Sequence, residues 1–133
     1  MHIKKILISP QEFKESLTGL EVAKAIQLGI NNIDSDIDTI LVPVADGGDG
    51  TLQTMVDVTG GEIIKETVSD PLGRKISSEW GKLGDDNSAV IEMAKASGLA
   101  LLKENEKSAL RTSTYGTGEL FKKALDNGIS NFI

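Results

Sequence analysis

Apolar residues are spaced along the chain in two rhythms, and they change over part-way through. The runs Ile3 to Ile8 and Ile37 to Val44 are compact, apolar and rich in β-branched residues, which predicts two short buried strands. Between them Val22, Ile26, Ile30 and Ile33 recur at helical spacing. They follow Thr18-Gly19-Leu20-Glu21, a capping-box pattern for a helix start. A second helix is predicted from Thr51 to about Thr59, with Leu52, Met55 and Val56 turned inward and Gly60-Gly61 as its C-terminal stop. The order β-α-β-α predicts the start of a parallel sheet covered by helices.

After Gly61 the pattern alternates instead. Glu62 to Val68, Lys75 to Leu83 and Ala89 to Met93 read as three strands joined by the turn signals Asp70-Pro71-Leu72-Gly73 and Gly84-Asp85-Asp86-Asn87, so this section is expected to be mainly antiparallel. Ala94 to Lys107 reads as short helix plus loop. Thr114-Tyr115-Gly116-Thr117-Gly118-Glu119 introduces a helix with Leu120, Phe121, Ala124 and Leu125 on one face and a stop at Gly128. The fold class expected is α/β: a Rossmann- or flavodoxin-like beginning, followed by a mainly antiparallel strand section. The change of rhythm divides the chain into an α/β unit, residues 1–61, and the start of a second α/β subdomain, residues 62–133. Gly128 to Ile133 reads as a helix stop followed by the first residues of another strand. The chain is therefore expected to be part of something longer, with a sheet edge free to recruit another copy.

Composition narrows the function classes. An apolar fraction of 39% and a charged fraction of 26% are those of a folded globular protein. The net charge of −6 and scattered bases argue against nucleic acid as a partner. No apolar run reaches membrane-spanning length. Met1-His2-Ile3-Lys4-Lys5 runs straight into a strand pattern and does not read as a signal peptide, which makes a cytoplasmic location the default expectation. There is no cysteine, and the lone His2 leaves no imidazole for a catalytic dyad or a histidine metal site. No Gly-rich stretch is followed by Lys-Ser or Lys-Thr, so a P-loop is excluded. What remains is oxygen-ligand and Lys/Arg chemistry, the equipment for phosphate or carboxylate together with Mg²⁺.

Four constellations carry that chemistry. Val42-Pro43-Val44-Ala45-Asp46-Gly47-Gly48-Asp49-Gly50-Thr51 puts glycines and two carboxylates between a strand and a helix, where open α/β sheets place their ligands. Phe13-Lys14-Glu15-Ser16 offers Lys14 to an anion in the loop after the first strand. Ile91-Glu92-Met93-Ala94 ends an apolar strand with a single carboxylate, a place where a charge is usually paired or functional. Arg111-Thr112-Ser113-Thr114-Tyr115-Gly116-Thr117-Gly118 sets hydroxyls and glycines before a helix N-terminus, in the manner of an anion cradle. Together they describe an acidic metal site beside an anion-binding site.

The same segments, in one register from Ile6 to Phe132, resemble the N-terminal third of the bacterial glycerate kinases of the GlxK/GarK type. The resemblance is carried by Phe13-Lys14-Glu15-Ser16-Leu17, by Val42 to Thr51, and by Thr59-Gly60-Gly61. It continues through Asp70-Pro71-Leu72-Gly73, Ile91-Glu92-Met93-Ala94, Ala96-Ser97-Gly98-Leu99 and Thr112 to Leu120. It implies a two-domain protein of the glycerate kinase I-type fold that transfers the γ-phosphoryl group of ATP to D-glycerate with Mg²⁺. It further implies catalytic roles for Asp46 and Lys14, with Asp46 either the base for the glycerate hydroxyl or a Mg²⁺ ligand and Asp49 the other of the two. Glu92 would be a metal or hydroxyl contact. Arg111, with Lys14, would hold the substrate carboxylate or the transferring phosphate. Ser113, Thr114, Gly47, Gly48, Gly116 and Gly118 would line the substrate. Two departures stand out. Gln11-Glu12 replaces the family's usual Asp-Ser, and Asp49 replaces a Glu. The rival readings are a non-catalytic anion-binding module and a metal-dependent phosphatase using the same aspartates.

Overall fold

The computed structural model describes residues 3–13 and 16–133. It forms two compact units, Met1–Thr54 and Met55–Ile133.

In the first unit, strand β1 (Lys5–Ile8) lies parallel to β2 (Asp38–Leu41), in register from Lys5↔Asp38 to Ile8↔Leu41. Both are shorter than the apolar runs that announced them. The Val42 N–H still donates to the Ile8 carbonyl and the Val44 N–H to that of Pro10, but Pro43 between them has no N–H to continue the ladder. Helix α1 (Gly19–Ile33) makes the crossover and starts on the expected capping box: the Glu21 N–H donates to Thr18 Oγ1, and the Thr18 N–H to Glu21 Oε2. It packs Val22 and Ala23 inward, and Gln27 donates to the Thr39 hydroxyl on β2 at 2.6 Å. Ile8 is buried, whereas Leu7, one residue earlier and on the opposite face, is 62% exposed.

Helix α2 (Thr51–Thr59) occupies the predicted span. It ends as Gly60-Gly61 predicts, with Gly60 left-handed at φ +67° and the Gly61 N–H reaching back to the Val56 carbonyl, a Schellman closure.

The second unit is built on β3 (Glu62–Ser69) and β4 (Lys75–Lys82), paired antiparallel along their whole length from Glu62↔Lys82 to Ser69↔Lys75. β5 (Ser88–Val90) joins β4 antiparallel, and β6 (Asn131–Phe132) joins β5 in parallel, giving the order β3-β4-β5-β6. The third strand is shorter than the predicted Ala89 to Met93. Its pairing with β4 ends at Gly81↔Val90, and Met93 is already helical at φ −53°, ψ −36°, leading into the short helix α3 (Ala94–Ser97). Two single 3₁₀ turns follow, Leu99–Leu101 and Glu104–Glu106, and then α4 (Tyr115–Asp126). The core gathers Val68, Trp80, Ala89, Ala96, Leu120, Ala124 and Ile129, flanked by Ile64, Ile76, Ile91 and Phe132. Among the described residues, no helix is long and apolar enough to cross a membrane.

Candidate functional site

The segments that follow β1 and β2 leave the same edge of the parallel pair, as the Val44-to-Pro10 hydrogen bond requires. The Asp46-Gly47-Gly48-Asp49 loop is therefore presented at the C-terminal edge of the strands. Asp46 is exposed and folds back on itself: its Oδ1 accepts the Gly48 N–H at 3.1 Å, and among the described residues no hydrogen bond reaches Oδ2. Gly47 (φ +96°) and Gly50 (φ +83°) take left-handed conformations that a side chain would strain. The loop then runs directly into α2, whose first bonds are Thr51 N–H to Gly48 O and Thr54 N–H to Gly50 O. The Thr51 hydroxyl is buried there and has no hydrogen-bond partner among the described residues.

Lys14 lies outside the described residues. The chain on either side of it closes a small turn, with Phe13 and Leu17 exchanging backbone hydrogen bonds of 2.8 and 3.0 Å. An open groove of about 230 Å³ beside it is lined by Glu12, Phe13, Ser16, Leu17, Thr18 and Glu21. Glu12 was noted in the sequence only as a departure from the family pattern. Its Oε2 stands 2.5 Å from where a Cβ on Gly50 would be, so its carboxylate lies against the glycine loop. Sequence reasoning missed that placement, because no periodicity links residues 12 and 50.

In the second unit, α3 brings the Glu92 segment against the start of α4. The Ser97 and Thr117 hydroxyls are hydrogen bonded at 2.7 Å, and Ala96 faces Gly116. Glu92 is 5% exposed, at the point where the chain turns from β5 into α3. Arg111, Ser113 and Thr114 are exposed. Ser113 accepts the Tyr115 N–H through its hydroxyl, while Thr114, the residue before α4, makes no side-chain cap. The two glycines of the cradle differ in kind. A Cβ at Gly116 would collide with the Ser69 carbonyl, so packing demands glycine there; at Gly118 nothing lies within 4 Å.

The β3–β4 turn beneath this loop is a charged lattice. Asp70, 2% exposed, accepts the Leu72 and Arg74 N–H groups on Oδ1 and the Arg74 Nε–H on Oδ2. Burial pushes its carboxyl up, but the Arg74 side chain and these backbone donors outweigh that and hold it below the ordinary carboxylate range. Arg74 also donates to Glu106 at 2.9 Å, and Glu106 is held low first by the Lys103 N–H and then by Arg74. Glu119 on α4 accepts from Lys75 at 3.0 Å and from the Ser69 N–H at 2.5 Å; those two bonds, Lys75 first, lower its carboxyl as well.

Among the described residues, no three carboxylate or imidazole groups converge on one point. The exposed carboxylates of Asp46 and Asp49 fit an ion that takes only one or two ligands from the protein and completes its shell with phosphate and water, as Mg²⁺ does.

Comparison with known proteins decides the family. The family model described as "Glycerate kinase family" matches residues 6–133. The chain belongs to the glycerate kinase family. A glycerate kinase of Haemophilus influenzae is 50% identical over 129 residues, covering 97% of this chain and 34% of the relative. A glycerate 2-kinase of Escherichia coli K12 is 46% identical, again covering 97% of this chain and 34% of the relative. A solved structure from Salmonella typhimurium LT2, described as a candidate glycerate kinase 2, superposes with a TM-score of 0.86 at 44% identity, covering 98% of this chain and 35% of that one. The chain thus spans about a third of the length of the relatives it matches. The expected resemblance and the α/β fold with its mixed sheet are borne out.

Proposed function

We propose that residues 1–133 act as the N-terminal third of a glycerate kinase that transfers the γ-phosphoryl group of ATP to D-glycerate. The observation that carries this reading is the exposed Asp46-Gly47-Gly48-Asp49 loop at the C-terminal edge of a parallel strand pair, in a chain matched to the family over residues 6–133. Phosphoryl transfer asks a protein mainly for positioning and charge neutralisation. Asp46 takes the proton of the attacking glycerate hydroxyl on Oδ2, because Oδ1 is held by the Gly48 N–H. Asp49 would supply an oxygen ligand for Mg²⁺, which when bound neutralises phosphate charge, and Glu92 would be a metal or hydroxyl contact. Lys14 and Arg111 hold the substrate carboxylate or the phosphate; the guanidinium suits a bidentate grip. Ser113, Thr114 and the backbone at Gly47, Gly48, Gly116 and Gly118 line the substrate. The uncapped Thr114 hydroxyl and the unfilled space at Gly118 are consistent with that role.

In this reading residues 1–61 carry the Lys14 and Asp46 loops, residues 62–133 carry the cradle, and the protein works in the cytoplasm. β6 is an edge of its sheet, which favours self-association of the isolated chain, measurable by light scattering.

The decisive test is Asp46→Asn in the full-length kinase, assayed with ATP, Mg²⁺ and D-glycerate. Turnover should fall about a hundredfold or more with the unfolding midpoint unchanged, the size expected for loss of a general base. Near-normal turnover would reduce Asp46 to a turn residue. Phosphate release from phosphoglycerate without ATP would favour a phosphatase instead.

A further inference from the structure

We propose that Arg74 is a positioning residue for the anion-binding loop: it holds the segment that carries Arg111 from beneath, through the β3–β4 turn. This rests on the reading of residues 111–118 as an anion cradle. The turn itself is rigid. Asp70 Oδ1 accepts the Leu72 and Arg74 N–H groups at 2.8 Å each, Oδ2 accepts Arg74 Nε–H at 2.5 Å, and the Gly73 N–H closes on the Asp70 carbonyl. The guanidinium is thereby fixed with its remaining nitrogens aimed away from the turn. One donates to Glu106 Oε1 at 2.9 Å and the other to the Leu101 carbonyl at 3.3 Å. The same turn grips the chain again further on, where the Pro71 carbonyl accepts the Ser113 N–H at 3.0 Å.

Between Glu106 and Ser113 none of the side chains is buried. Leu110 is 98% exposed, and Arg111 is exposed and makes no ion pair among the described residues. Within the stretch, the Arg111 and Thr112 N–H groups and the Thr112 hydroxyl all turn on the Ser108 carbonyl. Apolar burial does not fix Leu110 and Arg111, so the hydrogen bonds at 101, 106 and 113, with the local bonds to the Ser108 carbonyl, set where the Arg111 backbone stands. Arg74 serves Asp70, Glu106 and the Leu101 carbonyl from three separate nitrogens held in one plane, whereas a lysine would have to reach all three acceptors from a single nitrogen. An ordinary surface ion pair would contribute little, but misplacing a substrate-holding group by about 1 Å can cost a hundredfold in rate.

The test compares Arg74→Met, Arg74→Lys, Arg111→Ala and the double variant Arg74→Met/Arg111→Ala in the full-length kinase. Arg74→Met should lower kcat/KM about tenfold or more, an intermediate loss on the scale of a misplaced group. Arg74→Lys should recover little of it. The double variant should be no worse than Arg111→Ala, because Arg74 acts through the placement of Arg111. Amide exchange at Ser113 should quicken in Arg74→Met while the β3–β4 ladder stays protected. Wild-type kcat/KM in a folded Arg74→Met or Arg74→Lys protein overturns the inference, as do losses that simply multiply with that of Arg111→Ala. If Arg111→Ala is itself fully active, the cradle reading falls and takes the inference with it. If Arg111→Ala is impaired and the Arg74 variants are normal, the inference alone falls.

Discussion

The two units of this chain spend their apolar residues differently. The second closes a core: Trp80, Val68 and Leu120 are fully enclosed between a four-stranded sheet and α3 and α4. Among its described residues the first has two strands, and beside buried Ile8, Val22, Ala23 and Leu52 it leaves Leu7, Leu28 and Ile33 largely in solvent and Ile26 and Ile40 partly exposed. Yet the first unit carries the acidic glycine loop, and its strand ends need only backbone pairing and one crossover helix to set that loop at the sheet edge. The larger apolar core and the acidic loop thus lie in different stretches of sequence, and substitutions should separate their effects.

The largest contrast is between Trp80→Ala and Leu28→Ala. The first empties the centre of the second core and should cost about 3–5 kcal/mol. The second trims a side chain that is 62% exposed and should stay within about 0.5 kcal/mol. Denaturant unfolding measures both, and equal losses would break the comparison. Next in size is Thr18→Ala, which removes the capping box on which α1 begins; about 1 kcal/mol is expected, seen as a lower midpoint for the first unit. Gly118→Ala sharpens the contrast within the second unit. It should stabilise α4 by roughly 0.5–1 kcal/mol, since nothing lies near a Cβ there, while glycerate kinase activity falls if substrate approaches that backbone. A stabilised variant with full activity would remove Gly118 from the cradle.

The smallest effect per residue is acid sensitivity. Asp70, Glu106 and Glu119 have carboxyls lowered on folding. The native state therefore binds their protons less readily than the unfolded chain does. Their contribution is complete above the ordinary carboxylate range and is lost as pH falls below about 4 through the folded values. Unfolding followed from pH 7 to pH 3 should show the loss in the wild type and a shallower one in Glu119→Gln. Parallel curves would assign the acid response to other groups.

Local signals in the sequence were read correctly where one short segment contains its own explanation. Thr18 and Glu21 are three residues apart and satisfy each other; Gly60-Gly61 closes α2 within one turn. The β3–β4 hairpin was legible from alternation around Asp70-Pro71-Leu72-Gly73. What stayed hidden depends on partners far along the chain. Arg74 looks like a turn residue until Leu101 and Glu106 arrive beside it, and Glu12 looks incidental until Gly50 lies against its carboxylate. The early end of β5 was hidden for the same reason, since its length is set by how far β4 runs beside it. The acidic loop was legible in composition and position; the hydrogen bond from the Gly48 N–H to Asp46 Oδ1 was not, because it depends on the left-handed turn at Gly47.

The parallel seat of β6 beside β5 has a consequence for the order in which the second unit assembles. β3, β4 and β5 meet through short turns and can pair as soon as they are made. Joining Ser130 to Asn87 closes a loop across a sequence separation of 43 residues, with α3 and α4 inside it. Such long-range closure must meet its entropic cost before the pairing returns anything, and contacts of that kind slow folding. The hairpin is thus the early scaffold and β6 the late latch, so weakening Phe132 should show mainly as faster opening rather than slower folding.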